Sequence, residues 1–247
     1  VFLHITSNDV IHSFWIPQLN GKKDAVPGQF NNWKLRADQP GTYLGTCTEF
    51  CGLSHANMRM LVRAVSVDEY ERWLDNQRKP ARKPDPADTL AVEGEKLFAS
   101  QRCANCHLVR GLNDDKVAGP DGVKAQLVAG VAPDLTHFAS RGVFAGGIYN
   151  SHYPNPAGAN QPFGATCTNE NLEACGDPRD LSLPGNPDNP PYRPWLEQWL
   201  RDPKSLKPMA PDESQNPDAG GRVRGMPNLG LNEEQIDQLV AYLLTLK

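Results

Sequence analysis

Apolar residues along the chain follow two different periods. Up to about residue 65 they come in short runs, Val1–Ser7, Gly41–Gly45 and Leu61–Val67, separated by Pro17, Pro27-Gly28 and Pro40-Gly41. Short apolar runs bounded by turn formers predict strands, so this region reads as a small antiparallel β-domain. Ser66-Val67-Asp68-Glu69 has the capping-box spacing and predicts a short helix through Tyr70, Trp73 and Leu74. From Leu90 the period becomes helical. One stretch runs to Ser100 and meets Cys103, and a shorter one around Trp195–Arg201 follows Pro194. Asn232 and Gln235 mark the start of a terminal helix, in which Ile236, Leu239, Val240, Leu243 and Leu244 fall at i, i+3, i+4, i+7 and i+8. That is one buried face. No apolar run is long enough for a bilayer, which needs about 20 residues. Val1 is not followed by a signal-peptide pattern. The chain reads as soluble, or as the soluble part of something longer.

Between the two patterns, Asn76 to Asp88 is rich in Arg, Lys and Pro, which predicts an extended linker reaching roughly 3 Å per residue. The predicted organisation is a β-domain over 1–75, a linker over 76–88 and a helical domain over 89–247. A loop-rich insertion of Gly, Pro, Asn and Asp interrupts the last of these at about 146–192. Composition fits: 22 Pro and 21 Gly in 247 residues exceed the ordinary combined share of roughly 12 %. With 25 basic and 29 acidic side chains the net charge is −4, which excludes a generally basic nucleic-acid binder. Apolar residues at 39 % exclude wholesale disorder.

The six cysteines form three spaced pairs, 47 and 51, 103 and 106, 167 and 175. Cys103-Ala104-Asn105-Cys106-His107 is C-x-x-C-H, the signature of covalent haem attachment through two thioethers, with the adjacent His as proximal ligand. A zinc half-site is the competing reading, but no second ligand pair of suitable spacing follows. The sixth iron ligand must come from downstream, where Met209, Met226, His137 and His152 are available. Met226 is favoured because Gly225-Met226-Pro227 forms a short loop just ahead of the terminal helix. Methionine opposite histidine raises the reduction potential and suits electron transfer.

Cys47-Thr48-Glu49-Phe50-Cys51, followed by His55 and Met58, gives C-x-E-x-C-x-x-x-H-x-x-M. Two thiolates, an imidazole and a thioether within twelve residues are a soft ligand set, which suits copper rather than magnesium or calcium. His12, in Asp9-Val10-Ile11-His12-Ser13-Phe14-Trp15, offers a second imidazole from another loop. A plain Cys47–Cys51 disulfide would leave the spacing of His55 and Met58 without a reason.

This stretch resembles the binuclear copper (Cu-A) domain of cytochrome c oxidase subunit II, a cupredoxin-type β-barrel. Its combination with C-x-x-C-H resembles the haem-c-fused, caa-type branch of that family. The resemblance covers 1–75 for copper, and about 88–145 and 193–247 for an all-α cytochrome c domain. It implies that Cys47 and Cys51 both bridge two coppers. His12 and Met58 would complete one, and His55 and the Glu49 backbone carbonyl the other. The Glu49 carboxylate matches a position that binds a magnesium-type ion at the junction with subunit I, for which carboxylate is a suitable hard ligand. Pro133 matches the proline whose carbonyl supports the proximal histidine.

The resemblance further implies partners: subunit I with its haem a and haem–copper centre, subunit III, and an upstream donor such as a cytochrome c or bc-type complex. Electrons would pass from haem c to Cu-A and on to haem a, where oxygen is reduced to water with proton pumping. Neither centre of this chain offers an open position for bond chemistry, so the terminal catalyst belongs to another chain. The family's two membrane helices and first barrel strands are not within these residues. Membrane association is therefore expected through them or through partner subunits, at the outer face of the bacterial membrane. Haem attachment and Cu-A assembly belong to that oxidising side, which predicts that Cys167 and Cys175 pair as a disulfide. Rival readings are a Cu-A nitric oxide reductase, a nitrous oxide reductase and a free electron carrier. The nitrous oxide enzyme usually has an aromatic residue where this chain has Glu49, and it adds a propeller not found here.

Overall fold

The computed structural model describes residues 1–101, 103–114, 132–146, 149–150, 193–208 and 225–247. The described residues fall into two compact units. One holds 1–67, 142–146, 149–150, 203–208 and 225–227, and the other holds 68–141, 193–202 and 228–247 within those bounds.

The first unit is a β-structure. Strands β1 (Phe2–Ile5) and β4 (Asn31–Lys34) pair antiparallel. A second sheet runs in the order β3 (Lys22–Ala25), β2 (His12–Trp15), β5 (Gly41–Cys47), β6 (Arg59–Ala64), each neighbour antiparallel. The short β7 (Val143–Phe144) and β8 (Tyr149–Asn150) form a third pair. Ile16, Leu19 and Leu35 are the buried centre, with Phe14, Trp33 and Met60 packed against them. Gly45 lets β2 and β5 close on each other: a Cβ there would lie 2.5 Å from the Trp15 carbonyl oxygen and 2.6 Å from side-chain carbons of Ile16 and Met60. No side chain larger than hydrogen fits that contact.

The second unit is helical. It contains α1 (Val67–Arg78), counted here although its first residue falls in the other unit, then α2 (Thr89–Ser100), α3 (Cys103–Cys106), α4 (Arg193–Arg201) and α6 (Glu233–Leu243). The short α5 (Pro203–Leu206) lies in the β-unit. The main helix contact joins α2 to α6, where the rings of Phe98 and Tyr242 pack with centroids 5.6 Å apart. Ile236, Leu239, Val240 and Leu243 are buried in a row on α6, as their spacing predicted. Asn232 starts that helix with a full capping box: its side chain accepts from the Gln235 amide at 2.9 Å, and the Gln235 side chain accepts from its own at 3.0 Å. Asn232→Ala should lower the unfolding free energy by about 1 kcal/mol, read as a shifted urea midpoint at constant slope. An unchanged midpoint would mean that packing alone holds the helix start.

Three expectations need correction. Strands β2, β3 and β4 are not predicted by the sequence pattern, since Lys-Lys-Asp-Ala and Asn-Asn-Trp-Lys carry almost no apolar alternation. The strand expected at 61–67 instead occupies Arg59–Ala64, drawn toward the ligand loop by its pairing with β5. The linker is shorter and less free than its composition implies. Residues 76–78 complete α1. Beyond them the Ala81 amide donates to the Arg110 carbonyl at 2.8 Å, the Arg110 guanidinium donates to the Gln77 carbonyl, and His137 Nε2 lies 3.2 Å from the Lys79 carbonyl oxygen. Asp88 then caps α2 by accepting from the Ala91 amide at 3.0 Å.

Candidate metal centre

The β5–β6 hairpin builds the centre. Cys47 is the last residue of β5, and β6 starts at Arg59, so the intervening loop carries Glu49, Cys51, His55 and Met58. The loop closes on itself because the Cys47 amide donates to the Met58 carbonyl at 3.0 Å. Inside it, Gly52 has φ +118, a backbone state that favours glycine, and reverses the chain toward the 3-10 turn His55–Asn57. Strand β2 supplies His12, and its register pairs Phe14 with Cys47.

The sulfur of Cys51 is central. It lies 3.8 Å from Cys47 Sγ, 3.5 Å from His55 Nδ1 and 3.7 Å from Met58 Sδ. Neither cysteine is in a disulfide. His12, Cys47 and Cys51 bring their ligand atoms within 4.8 Å of one another. Metal–ligand bonds of 2.0–2.3 Å put adjacent tetrahedral ligands roughly 3.3–3.8 Å apart, and the spacings around Cys51 fall in that range. Glu49 takes part through its backbone, whose oxygen lies 3.2 Å from Cys47 Sγ, while its side chain is exposed.

Two features that sequence reasoning missed point the same way. His12 Nδ1 is buried and has no hydrogen-bond partner among the described residues. Its other nitrogen, Nε2, is 2.8 Å from Asp9 Oδ1. A carboxylate at Nε2 fixes the proton there and leaves the Nδ1 lone pair free to bind a metal. Burial resists ionisation of Asp9, but hydrogen bonds from His12, Val10 and Ser7 outweigh it and hold its pKa below the ordinary value. The signal was the i, i+3 spacing of Asp9 and His12. The second feature is the exposed Phe50 ring, which packs edge-on against His55 with centroids 5.7 Å apart. Burial, the neighbouring Cys47 thiol and Asp9 push the Cys51 thiol up to about 11. It is therefore protonated until a metal displaces the proton.

The C-x-x-C-H motif occupies the helical unit. Cys103 and Cys106 begin and end α3, and neither is in a disulfide. His107 follows, and its Nδ1 is 2.8 Å from the Pro133 carbonyl oxygen. That bond leaves Nε2 as the nitrogen able to face an iron. Burial lowers the His107 pKa and the Pro133 contact opposes that shift, so the ring is kept neutral as ligation requires. Asn113, which the sequence reading passed over, is 3 % exposed. Its amide donates to the Ala104 and His107 carbonyls at 3.0 and 2.9 Å, and its oxygen accepts from the Val109 amide at 2.8 Å. It clamps the motif from below.

The remaining predicted positions are scattered. Met226 is half-buried in the segment before α6. His137 is buried beside the Lys79 carbonyl. Met209, His152, Cys167 and Cys175 lie outside the described residues. Among the described residues no helix is long and apolar enough to cross a membrane.

Comparison with known proteins shows what this chain is similar to. Residues 1–65 match the model for the cytochrome c oxidase subunit II periplasmic domain. Cytochrome c oxidase subunit 2 of Alkalihalophilus pseudofirmus is 31 % identical over 247 residues, covering 100 % of this chain and 52 % of the relative. The subunit 2 of a Bacillus species is 30 % identical over 253 residues, covering 100 % and 53 %. The crystal structure of the periplasmic domain of cytochrome oxidase subunit II from Bradyrhizobium japonicum shares 36 % identity over 30 % of this chain and 54 % of that one, with a TM-score of 0.30. The chain spans about half the length of the curated relatives it matches. With a His/Cys/Cys cluster inside the matched residues and similarity to those relatives along its whole length, the chain is similar to cytochrome c oxidase subunit II, and its residues 1–65 match that family's periplasmic domain.

Proposed function

We propose that this chain is the electron-transfer part of a respiratory haem–copper oxidase, holding a binuclear Cu-A centre in a cupredoxin-type domain and a covalent haem c in a cytochrome c domain. The observation that carries the reading is the convergence of Cys47, Cys51, His55 and Met58 with a histidine, His12, whose buried Nδ1 has no hydrogen-bond partner among the described residues. When bound, the two centres supply reversible one-electron transfer, in the order haem c, Cu-A and the haem a of subunit I.

The residues have distinct tasks. Cys47 and Cys51 would supply the thiolates shared by the two coppers, His12 and Met58 would complete one copper position, and His55 with the Glu49 carbonyl would complete the other. Asp9 orients His12, and the β5–β6 hairpin fixes the whole set on sheet backbone. A cage held this rigidly changes little with oxidation state. The exposed Glu49 carboxylate is free for a magnesium-type ion at the subunit I junction. Cys103 and Cys106 of the helical unit would attach the haem, His107 and, from the segment before α6, Met226 would ligate its iron, and Pro133 and Asn113 orient the loop. His137 is turned to the Lys79 carbonyl, which supports Met226 over it. The proposal places both domains at the outer face of the bacterial membrane beside subunits I and III, with a cytochrome c or bc-type donor. There Cys167 and Cys175 would be oxidised to a disulfide.

Metal analysis of the full chain tests the reading. Two coppers and one iron per chain, with a mixed-valence copper spectrum, are expected. One copper or none overturns the binuclear assignment. For the axial ligand, Met226→Ala should keep the haem covalently attached, lower its reduction potential and open the iron to exogenous ligands. If Met209→Ala does this and Met226→Ala does not, Met226 is not the ligand.

A further inference from the structure

The copper loop is braced by residues that lie far downstream of it in the sequence. Ser54, the residue before His55 and the N-cap of the His55–Asn57 turn, donates its hydroxyl proton to the Pro208 carbonyl. Its own carbonyl accepts from the Asn57 amide at 3.0 Å. One residue before Pro208, Lys207 closes the α5 turn through its amide, which donates to the Pro203 carbonyl at 2.9 Å. The Lys207 ammonium donates to the Ala145 carbonyl at 3.1 Å. A Cβ on Gly146 would lie 2.6 Å from Lys207 Nζ and 4.0 Å from the Asn57 carbonyl oxygen, so the ammonium and the ligand turn face each other across Gly146.

Two further observations mark this as a built contact. Ala145 has φ 54 and is the one non-glycine residue with positive φ among the described residues, and Gly146 follows at φ +77. Strain of that kind persists only where surrounding structure holds it. Lys207 has no carboxylate in ion-pair range among the described residues, and burial lowers its pKa. A half-buried cation with no carboxylate among its described neighbours is costly, and its charge acts at a distance that solvent does not fully screen.

We propose that Lys207 is a positioning residue of the copper centre: with Pro208 and Ser54 it holds the turn that carries His55, and its charge favours the reduced site. This rests on the Cu-A reading above. It differs from that reading in placing a residue of the helical half of the sequence in the environment of the copper ligands. The expected direction follows from charge. Removing a cation near the site stabilises the oxidised, more positive state, so the potential falls.

The test uses the full copper-loaded chain, and reads the Cu-A reduction potential and the copper hyperfine pattern alongside copper content. Lys207→Met should lower the potential, shifting the electron distribution against a fixed-potential donor by about threefold to tenfold, where tenfold is 59 mV for one electron. Lys207→Arg keeps the charge and should restore most of the potential. Ser54→Ala removes only the tie to Pro208 and should change the hyperfine pattern assigned to His55 while retaining both coppers. If Lys207→Met fails to load copper, the Lys207→Arg and Ser54→Ala chains decide. A mixed-valence spectrum in the unmodified chain with potential and hyperfine unchanged in all loading variants overturns the positioning role alone. No such spectrum in the unmodified chain overturns the Cu-A reading and this inference with it.

Discussion

Cys47→Ser is expected to reduce the bound copper from two ions to at most one and to abolish the mixed-valence spectrum, with the β-unit still folded. Cys47 is buried at the end of β5, and its sulfur sits 3.8 Å from Cys51 Sγ. A serine hydroxyl keeps the volume nearly unchanged, so the strand pairing of Phe14 with residue 47 and the amide bond to the Met58 carbonyl remain. What is lost is chemical. A thiolate is soft, readily deprotonated by a bound metal and able to serve two metals at once, whereas a hydroxyl is hard and stays protonated. Removing one of two bridges leaves Cys51 with the two imidazoles and the thioether, enough for one metal. Copper content and optical spectrum of the purified variant check this, with circular dichroism as the measure of folding. Two coppers and an unaltered spectrum in Cys47→Ser would show that this sulfur is not a bridging ligand.

The candidate centre was legible in sequence because four of its five side chains lie within twelve residues on one hairpin. Local spacing there is almost the whole geometry. His12 was legible only as a separate histidine, because the β2–β5 register that sets it beside Cys47 is a long-range pairing that no short window contains. Its support by Asp9 was visible as i, i+3 spacing, but such spacing is common in loops and gains meaning only once Nδ1 is found buried and without a hydrogen-bond partner among the described residues. On the helical side, the α6 face and its capping box could be read directly, since both depend on residues at most eight apart. Asn113 could not. Its role comes from three backbone groups at 104, 107 and 109 that converge on one buried amide, and asparagine in a loop ordinarily signals a turn. Strands β3 and β4 were missed for a related reason. Their polar side chains carry no alternation, and they are strands because the neighbours at β2 and β1 offer hydrogen bonds.

Gly94 is the position where a single methyl group should do most damage to the helical unit. It lies inside α2, where replacing glycine by alanine in an isolated helix gains about 1 kcal/mol of propensity. Here the neighbour decides otherwise. A Cβ at 94 would stand 2.0 Å from the Gln238 carbonyl oxygen, 2.7 Å from its carbonyl carbon and 2.8 Å from Tyr242 Cβ. Two of those atoms are α6 backbone, so no rotamer change relieves the clash and the helices must separate. Separation loosens the Phe98–Tyr242 contact and the buried row on α6 at once. Overpacking of this kind typically costs 1–3 kcal/mol, and a clash against backbone belongs at or above the upper end. The propensity gain does not offset it. Gly94→Ala should therefore destabilise the unit by about 2 kcal/mol or more after both effects, lowering its Tm by roughly 8 °C or more. Because α2 leads toward Cys103, attachment of the proposed haem should also become less complete. Thermal unfolding followed by circular dichroism, together with iron content per chain, gives the answer. A Tm equal to or above that of the unsubstituted chain would mean that the α2–α6 contact is wider than described, and that propensity rather than packing governs this position.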